Sequence, residues 1–290
     1  MPTVPRRGAV TELETLRRLA VSYYAAPPAC SLETFCELLA HRGIGGIALT
    51  AAAVEDREPE ELRRLLSTHN LTCTSLNSAG YFLHADPRRA AAQADLDARL
   101  LECAAAVDAP VNVIPGGIEH TRGEGGRPLP LEDARSRVED ALASLAGTAS
   151  SAGVLLSLEP IHPLGLTDKG CVNQLSHARS LAAALPGCGI TLDFFHSWWD
   201  ADLAGTVASA TEQLYVVQVC GVQTDGADPP RRTDMAKGDA DVAGLLTALS
   251  AAGYPGLVEY EVFYQQRPQE LDGLLDRAAR DFVSLNGRPD

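Results

Sequence analysis

The sequence alternates short apolar runs with longer segments of helical periodicity, and this alternation restricts the possible folds more than any other feature. Eight runs have strand character, at residues 16–24, 45–50, 71–76, 111–114, 153–158, 189–193, 214–219 and 257–262. Helices are predicted to follow them at residues 31–42, 59–70, 88–107, 131–152, 173–184, after Asp200, 241–253 and 268–285. Eight strand and helix pairs predict an α/β protein that forms a (β/α)8 TIM barrel. A doubly wound open sheet is the alternative, but its glycine-rich phosphate turn is absent.

The length and composition agree with one barrel domain. The chain has 290 residues, of which 46% are hydrophobic, and a barrel of this type uses roughly 250 residues. We therefore predict a single TIM-barrel domain over residues 1–290, with flexible ends at 1–12 and 286–290.

The charge balance limits the possible partners. The 24 basic residues face 38 acidic ones, and the resulting net charge of −14 repels nucleic-acid backbones and anionic membrane surfaces. Seven scattered cysteines without a C-x-x-C pair favour reduced thiols and a cytoplasmic location. No run approaches the roughly 18 apolar residues of a membrane span. The expected partner is a small molecule, with no nucleic acid and no membrane, and a homodimer is possible.

Four oxygen donors stand at the ends of four consecutive predicted strands. They are Glu159, Asp193, Gln218 and Glu261. Because the carboxyl ends of barrel strands open on one face, these side chains should converge at an active site. Three carboxylates so close together would repel one another unless a cation lay between them. All-oxygen ligands favour one divalent ion, Mn²⁺ or Mg²⁺. Glu259 lies on the same side of its strand as Glu261 and is a rival ligand.

Four motifs resemble those of a known family. They are Ser157-Leu158-Glu159-Pro160-Ile161-His162-Pro163, Leu192-Asp193-x-x-His196-x-Trp198-Trp199-Asp200, Val217-Gln218-Val219-Cys220, and Ala252-Gly253-Tyr254-Pro255-Gly256-x-Val258-Glu259-x-Glu261-x-Phe263. In this order they resemble the xylose-isomerase-like TIM-barrel superfamily of sugar phosphate isomerases and epimerases. The resemblance implies that Glu159, Asp193, the strand-seven residue and Glu261 bind one divalent metal, and that His196 contacts the substrate.

The sequence departs from the family pattern in two places. Many members have His where this chain has Gln218, followed three residues later by Asp where this chain has Gly221. Gln is also an oxygen ligand, and dehydratase-like relatives use it. Ketose 3-epimerases of this fold carry a further acid six residues after the strand-five ligand, at the position of Gly165. This difference weakens a ketose 3-epimerase assignment.

The predicted site suits proton transfer next to a carbonyl group. Glu159 and Glu261 are the candidate catalytic acid and base, and with a metal-bound carbonyl they would form an enediolate and act as an isomerase or epimerase of a sugar-like polyhydroxy carbonyl compound. Loss of a β-hydroxyl from the same intermediate would make the protein a lyase, a dehydratase of a keto-cyclitol or dehydroshikimate-like substrate. A non-catalytic or hydrolytic relative, such as an endonuclease IV type enzyme, is disfavoured by the acidic charge.

The remaining candidates are substrate contacts. They are His162, His196, Trp198, Trp199 and Lys237. The loops at residues 115–130 and 223–238 are rich in Gly, Asp and Pro and are predicted to close over the site. Other basic side chains in loops of this face are expected to be solvated, namely His84, His120, Arg122, Arg231 and Arg232.

Overall fold

The chain forms a closed barrel of eight parallel strands in the part that the structure describes. The structure is a computed structural model that describes residues 11–55, 57–123, 126–225 and 228–286. Around the barrel the order is β1-β2-β3-β4-β5-β6-β7-β10, and β8 pairs with β9 as an antiparallel hairpin. The strands are β1 Leu19–Ser22, β2 Gly46–Thr50, β3 Thr72–Gly80, β4 Val111–Ile114, β5 Leu156–Leu158, β6 Cys188–Asp193, β7 Leu214–Val219, β8 Gly221–Gln223, β9 Arg231–Thr233 and β10 Val258–Tyr260. The predicted fold class is confirmed.

Helices lie between the strands. The α-helices are Glu12–Leu16, Leu32–His41, Ala51–Val54, Pro59–Thr68, Pro87–Val107, Leu131–Ser151, Leu175–Ala183, Phe194–Ser197, Leu203–Ser209, Val242–Ala251 and Leu271–Asn286. Short 3₁₀ turns occur at Tyr23–Ala25, Ile118–Thr121, Pro163–Gly165 and Thr211–Gln213. Side-chain caps fix several helix starts, as where Asp241 accepts a hydrogen bond from the Gly244 amide at 2.9 Å.

The predicted strand bounds hold best in the middle of the chain. β4 and β7 have the bounds that the sequence predicts, whereas the first predicted strand, 16–24, is wrong at both ends, since β1 stops at Ser22 and a 3₁₀ turn begins at Tyr23. The first residue of that predicted strand, Leu16, ends a short helix that Thr11 and Glu14 start with a reciprocal capping box. Asn286 ends the last helix, and residues 1–10 and 287–290 of the predicted flexible ends lie outside the described residues.

The barrel interior carries a buried network of uncharged polar side chains, which we call the polar network. Its members are Ser75, Asn77, Asn112, Ser157 and Thr191. Asn112 donates to Asn77 Oδ1 at 2.9 Å and accepts from the Thr191 hydroxyl at 2.7 Å. Because each buried polar atom needs a partner, this network fixes side chains across several strands directly below the strand ends.

None of the described helices is long and apolar enough to cross a membrane.

Candidate active site

Three of the predicted carboxylates converge at the carboxyl ends of the strands. Glu159 follows β5 directly, Asp193 is the last residue of β6, and Glu261 follows β10 directly. All three are buried, with Asp193 completely removed from solvent. We call them the carboxylate cluster. Buried charges of one sign require a compensating cation or bound protons.

Arg232 lies between two of these carboxylates. Its Nη2 is 2.5 Å from Asp193 Oδ2 and 2.9 Å from Glu261 Oε2, and Nη1 is 3.3 Å from Asp193 Oδ1. The guanidinium also lies over the rings of Phe195 and Phe263, 4.5 and 5.2 Å from their centres. It is almost fully buried, so the expectation of a solvated Arg232 is wrong. A buried guanidinium with this many acceptors holds the carboxylate geometry in place.

The β8–β9 hairpin positions this arginine. Arg232 pairs with Val222 across the hairpin, and its neighbour Arg231 stays exposed, where it pairs with Asp225 at 2.6 Å. Side chains alternate between the two faces of a strand, so adjacent arginines point in opposite directions. The loop predicted to close over the site, 223–238, therefore contains a hairpin strand that enters it. Residues 226 and 227 of that loop lie outside the described residues.

Asp193 and Glu261 share the guanidinium of Arg232, but their pKa values shift in opposite directions. Burial raises the pKa of Asp193, but Arg232 outweighs it and holds that pKa below its usual range. Burial raises the pKa of Glu261 to about 8 against the opposing effect of the same arginine. One cation cannot keep two buried carboxylates ionised, so Asp193 carries the charge and Glu261 carries the proton near neutral pH.

Glu159 has a different set of partners. Its Oε2 accepts a hydrogen bond of 2.5 Å from Asn112 Nδ2, and its Oε1 lies 3.6 Å from His196 Nε2. Burial raises its pKa to about 7, against the lowering effect of Lys169. A carboxyl group with a pKa near neutrality can give or take a proton at physiological pH.

His196 is held in one tautomer. Its Nδ1 accepts a hydrogen bond of 3.1 Å from the backbone N–H of His162, and burial lowers its pKa well below the usual value, so the ring is neutral. A neutral imidazole has one lone pair, which the backbone amide uses, and Nε2 therefore carries the hydrogen. Nε2 lies 3.6 Å from Glu159 and 3.7 Å from Asp193. The Nε2–H group of His196 thus faces the cluster, at distances longer than a hydrogen bond.

Gln218 pairs in register with Asp193 on one side and with the rival candidate Glu259 on the other. Its Nε2 donates to Glu259 Oε2 at 2.9 Å, and the other oxygen of Glu259 accepts from the Ser75 hydroxyl at 2.7 Å. The amide oxygen of Gln218 is buried without a hydrogen-bond partner among the described residues. An orphaned buried oxygen is costly unless a ligand or cation satisfies it.

The donor set fits a divalent metal. Glu159, Asp193 and His196 have potential ligand atoms within 4.8 Å of one another. Since His196 Nε2 carries a hydrogen, the donors in this group are the Glu159 and Asp193 carboxylates, and Glu261 and the orphaned oxygen of Gln218 would have to complete a hard oxygen set. A metal at this place would compete with Arg232 for Asp193 and Glu261.

A cavity of about 810 Å³ opens above the cluster. Its walls include His162, Lys169, Phe195, His196, Arg232 and Phe263. The three carboxylates are not among its lining residues, whereas His196 and Arg232, which contact them, are. A substrate in the cavity would therefore meet the imidazole and the guanidinium before it met the acids.

The structure separates the other predicted substrate contacts. Besides lining the cavity, His162 lies against the Trp199 ring, with 5.5 Å between ring centres. Trp199 donates to the His196 carbonyl at 2.8 Å, and Trp198 packs against the hydrophobic core, so neither ring lines the cavity. Lys237 is exposed and pairs with Asp234 at 3.0 Å outside the cavity.

Sequence reasoning missed three residues of the site. Arg232 was expected in solvent, and Lys169 and Asn112 were not singled out. Asn112 could have been recognised from the sequence, because it is a polar residue inside the apolar run of the fourth strand. Lys169 could have been recognised from its rarity, because the chain has only two lysines, at 169 and 237.

Several known structures have the same architecture. Protein SMc04130 from Sinorhizobium meliloti 1021 is 25% identical, with a TM-score of 0.82 over 93% of this chain and 98% of that one. The IOLI protein with a bound zinc atom is 17% identical, with a TM-score of 0.75 over 92% and 97%. 3-Keto-D-glucoside 4-epimerase, YcjR, from E. coli is 20% identical, with a TM-score of 0.71 over 91% and 98%. No curated protein matches the chain.

A family model decides the relationship. The model of the xylose isomerase-like TIM barrel matches residues 36–280, which include every member of the carboxylate cluster as well as Arg232 and His196. The match extends over far more than half of the chain and agrees with the closed eight-stranded barrel. The chain therefore belongs to the xylose isomerase-like TIM-barrel family.

Proposed function

We propose that this protein is a divalent-metal-dependent isomerase or epimerase of a sugar-like polyhydroxy carbonyl compound. The observation that carries the proposal is the convergence of Glu159, Asp193 and Glu261 below one cavity, with the pKa of Glu159 raised to about 7 and that of Glu261 to about 8 by burial. Two carboxyl groups that titrate near neutrality suit the removal of a proton from one face of a carbon and its return.

Glu159 and Glu261 have complementary surroundings for this task. Glu159 receives one hydrogen bond from the neutral Asn112 amide, which leaves its proton exchangeable, whereas Glu261 shares a guanidinium with Asp193. Movement of Arg232 toward Asp193 alone would favour the protonated form of Glu261, and closer approach to Glu261 would favour its carboxylate. The position of Arg232 between Asp193 and Glu261 can therefore set whether Glu261 holds its proton.

His196 and Arg232 would orient the substrate. The Nε2–H of His196 points toward the cluster from the cavity wall and can donate to a substrate oxygen. The Phe195 and Phe263 rings flank Arg232 and exclude water from the guanidinium, which strengthens its interactions with charge. When bound by the cluster carboxylates and Gln218, a divalent metal would withdraw charge from a substrate carbonyl.

Solvent deuterium incorporation tests the proposal directly. The protein is incubated in heavy water with a panel of ketoses and keto-cyclitols, with Mn²⁺ or Mg²⁺ and with a chelator. We expect deuterium next to the carbonyl of at least one compound, loss of incorporation with the chelator, and at least a roughly 100-fold slower rate for Glu159→Gln. Incorporation that continues unchanged in the chelator would contradict metal dependence, and unchanged incorporation by Glu159→Gln would contradict its role.

One observation favours a dehydratase as the second candidate. Gly165 lies in the cavity wall at the position where ketose 3-epimerases of this fold carry a further acid, and a Cβ there would come within 2.8 Å of the Ile161 side chain. The wall therefore lacks that acid. Dehydration would create a conjugated enone, so a rise in ultraviolet absorbance during turnover supports the lyase, and deuterated epimer without absorbance supports the isomerase.

A further inference from the structure

Lys169 is unusual both in the sequence and in the cavity. The chain has 24 basic residues, and only Lys169 and Lys237 among them are lysines. Lys237 is exposed and pairs with Asp234. Lys169 is half-buried in the cavity wall, in the connection between β5 and the helix Leu175–Ala183, and no carboxylate of the described residues lies within 4.0 Å of its ammonium group.

The neighbouring histidine does not satisfy the ammonium group. Lys169 Nζ lies 3.4 Å from His196 Nε2. Two donors thus face one imidazole, and the backbone N–H of His162, which cannot lose its hydrogen, takes the lone pair of Nδ1. Nε2 therefore presents a hydrogen to the ammonium group. Lys169 keeps its own donors for a ligand in the cavity.

The other cations of the cavity have acceptors already. Arg232 bridges Asp193 and Glu261, Arg231 pairs with Asp225 at 2.6 Å, and Arg267 pairs with Asp234 at 2.8 Å.

Cationic side chains outnumber acidic ones in the lining of the cavity, although the protein as a whole is acidic. Four cationic side chains line it and Asp168 is its only acidic lining residue among the described residues, although the chain as a whole carries a net charge of −14. A cleft lined mainly by one sign of charge concentrates ligands of the opposite sign. The acids of the cluster lie outside the lining, and two of them, Asp193 and Glu261, are paired with Arg232.

We propose that the substrate of this site carries an anionic group, a carboxylate or a phosphate monoester, and that Lys169 binds it. The inference rests on the proposed function, since it assigns the substrate class of the same site. Lys169 Nζ and Glu159 Oε1 both contact the one nitrogen His196 Nε2, at 3.4 and 3.6 Å. The anionic group therefore binds beside the reacting end of a short acid sugar or sugar phosphate, at the wall of the cavity.

Three probes with the same six-carbon chain test whether the site prefers an anionic ligand. Glucitol is neutral, gluconate carries a carboxylate, and glucitol 6-phosphate carries a phosphate monoester. Their affinities are measured by isothermal titration calorimetry, with Mg²⁺ and with a chelator. We expect one of the two anions to bind at least about tenfold more tightly than glucitol, and the stronger of the two identifies the anionic group. Equal affinity for all three probes would overturn the proposal.

Variants assign the preference to Lys169. Lys169→Met should reduce the difference between anion and glucitol to less than about twofold, and Lys169→Arg, which keeps the charge, should retain most of it. Arg63→Met is the matched control, because it removes one exposed positive charge on the helix Pro59–Thr68, away from the cavity. Lys237→Met tests the sequence-based candidate. A preference that survives Lys169→Met, or that Lys237→Met abolishes instead, would overturn the assignment.

A spectroscopic readout is independent of turnover. Reductive ¹³C-methylation gives the chain two lysine signals, which the two Met variants assign. Gluconate or glucitol 6-phosphate should shift the signal of Lys169 and leave that of Lys237 unchanged, while a shift of Lys237 alone would contradict the proposal. Deuterium incorporation with a neutral ketose but no anion preference would refute this inference alone, and anion binding without any incorporation would refute the proposed isomerase alone.

Discussion

Glu259 and Glu261 stand two residues apart on the same strand end, both buried, yet they belong to different regions of the molecule. Glu259 accepts hydrogen bonds from Ser75 at 2.7 Å and Gln218 at 2.9 Å, which are neutral donors of the barrel interior. Glu261 contacts the guanidinium of Arg232 at 2.9 Å and, through it, Asp193. Glu259 therefore hydrogen-bonds to the polar network, whereas Glu261 belongs to the carboxylate cluster.

The difference between the two regions lies in how each can respond to charge. Burial raises the pKa of both glutamates. Both partners of Glu259 are uncharged side chains, and one of them, Ser75, is held by a further hydrogen bond of 2.8 Å from Asn77. In the cluster Glu261 shares a cation with Asp193, and a neutral imidazole lies near Asp193 and Glu159. The network fixes geometry, and the cluster can exchange protons and bind a cation.

The largest expected effect is on proton transfer. Glu261→Gln should slow deuterium incorporation by roughly 10²–10⁴-fold, because a positioned acid or base is lost. Glu259→Gln, the matched change two residues away, should retain the rate within about tenfold, because it alters only support for Gln218. Nuclear magnetic resonance of the recovered sugar measures both rates. Equal losses in the two variants would remove the distinction between the regions.

The second expected effect is on stability. Arg232→Met leaves Asp193 buried without its cation, which should lower the free energy of unfolding in a chelator by about 3 kcal/mol. Arg231→Met, on the opposite face of the same strand, breaks only an exposed pair and should cost about 0–1 kcal/mol. Urea denaturation with and without Mg²⁺ measures both, and Mg²⁺ should restore more stability to Arg232→Met. Similar values for the two variants would show that Arg232 does not hold the cluster.

The third expected effect is a dependence of stability on pH. The unfolded chain releases the Glu261 proton near its ordinary value of 4.5, whereas the folded chain keeps it to about pH 8. The folded state then binds more protons between these values, so this contribution is fully present below pH 4.5 and is lost as the pH rises toward 8. The slope should approach roughly 1.4 kcal/mol per pH unit for one such group.

Glu261→Gln provides the control for that slope. The variant should flatten the decline between pH 5 and 7 in a chelator, and Mg²⁺ should flatten it in the unaltered protein by binding the ionised form. Chemical denaturation at several pH values measures the change. If stability declined with pH as steeply in the variant as in the unaltered protein, a group other than Glu261 would hold the proton.

The smallest expected effect concerns the residue that joins the two regions. Gln218→Met removes both the donor to Glu259 and the orphaned amide oxygen, and it should weaken Mn²⁺ binding by roughly tenfold, within the range for groups that orient or complete a metal site. Calorimetric titration with Mn²⁺ measures the affinity. An unchanged affinity would mean that the Gln218 oxygen faces no ion.

Strand periodicity was sufficient to predict the barrel and the convergence of its strand-end acids. Glu159, Asp193 and Glu261 end buried strands, and barrel topology alone brings such ends together. The helix at Glu12–Leu16 was missed although Thr11 and Glu14 carry the capping-box spacing, because the following apolar residues dominated the strand prediction. That error does not affect the site.

The arginine at the centre of the cluster could not be predicted from local pattern. Arg232 and Arg231 are chemically identical in the sequence, and only the register of the β8–β9 hairpin decides which of them enters the site. The choice between Glu259 and Glu261 was open for the same kind of reason, since it depends on the distant partners Ser75 and Arg232. Contacts between residues so far apart in the chain arise only from the folded structure.

The most direct test of the difference between the two regions is a titration of the protein with Mn²⁺, followed by electron paramagnetic resonance, for the unaltered chain, Glu259→Gln and Asp193→Asn. We predict one ion per chain for the unaltered protein and for Glu259→Gln. For Asp193→Asn we predict binding weakened by about 100-fold or more, since the variant loses the ionised carboxylate of the cluster. Binding of Mn²⁺ to Asp193→Asn with unaltered affinity would contradict the assignment of the cluster as the metal site.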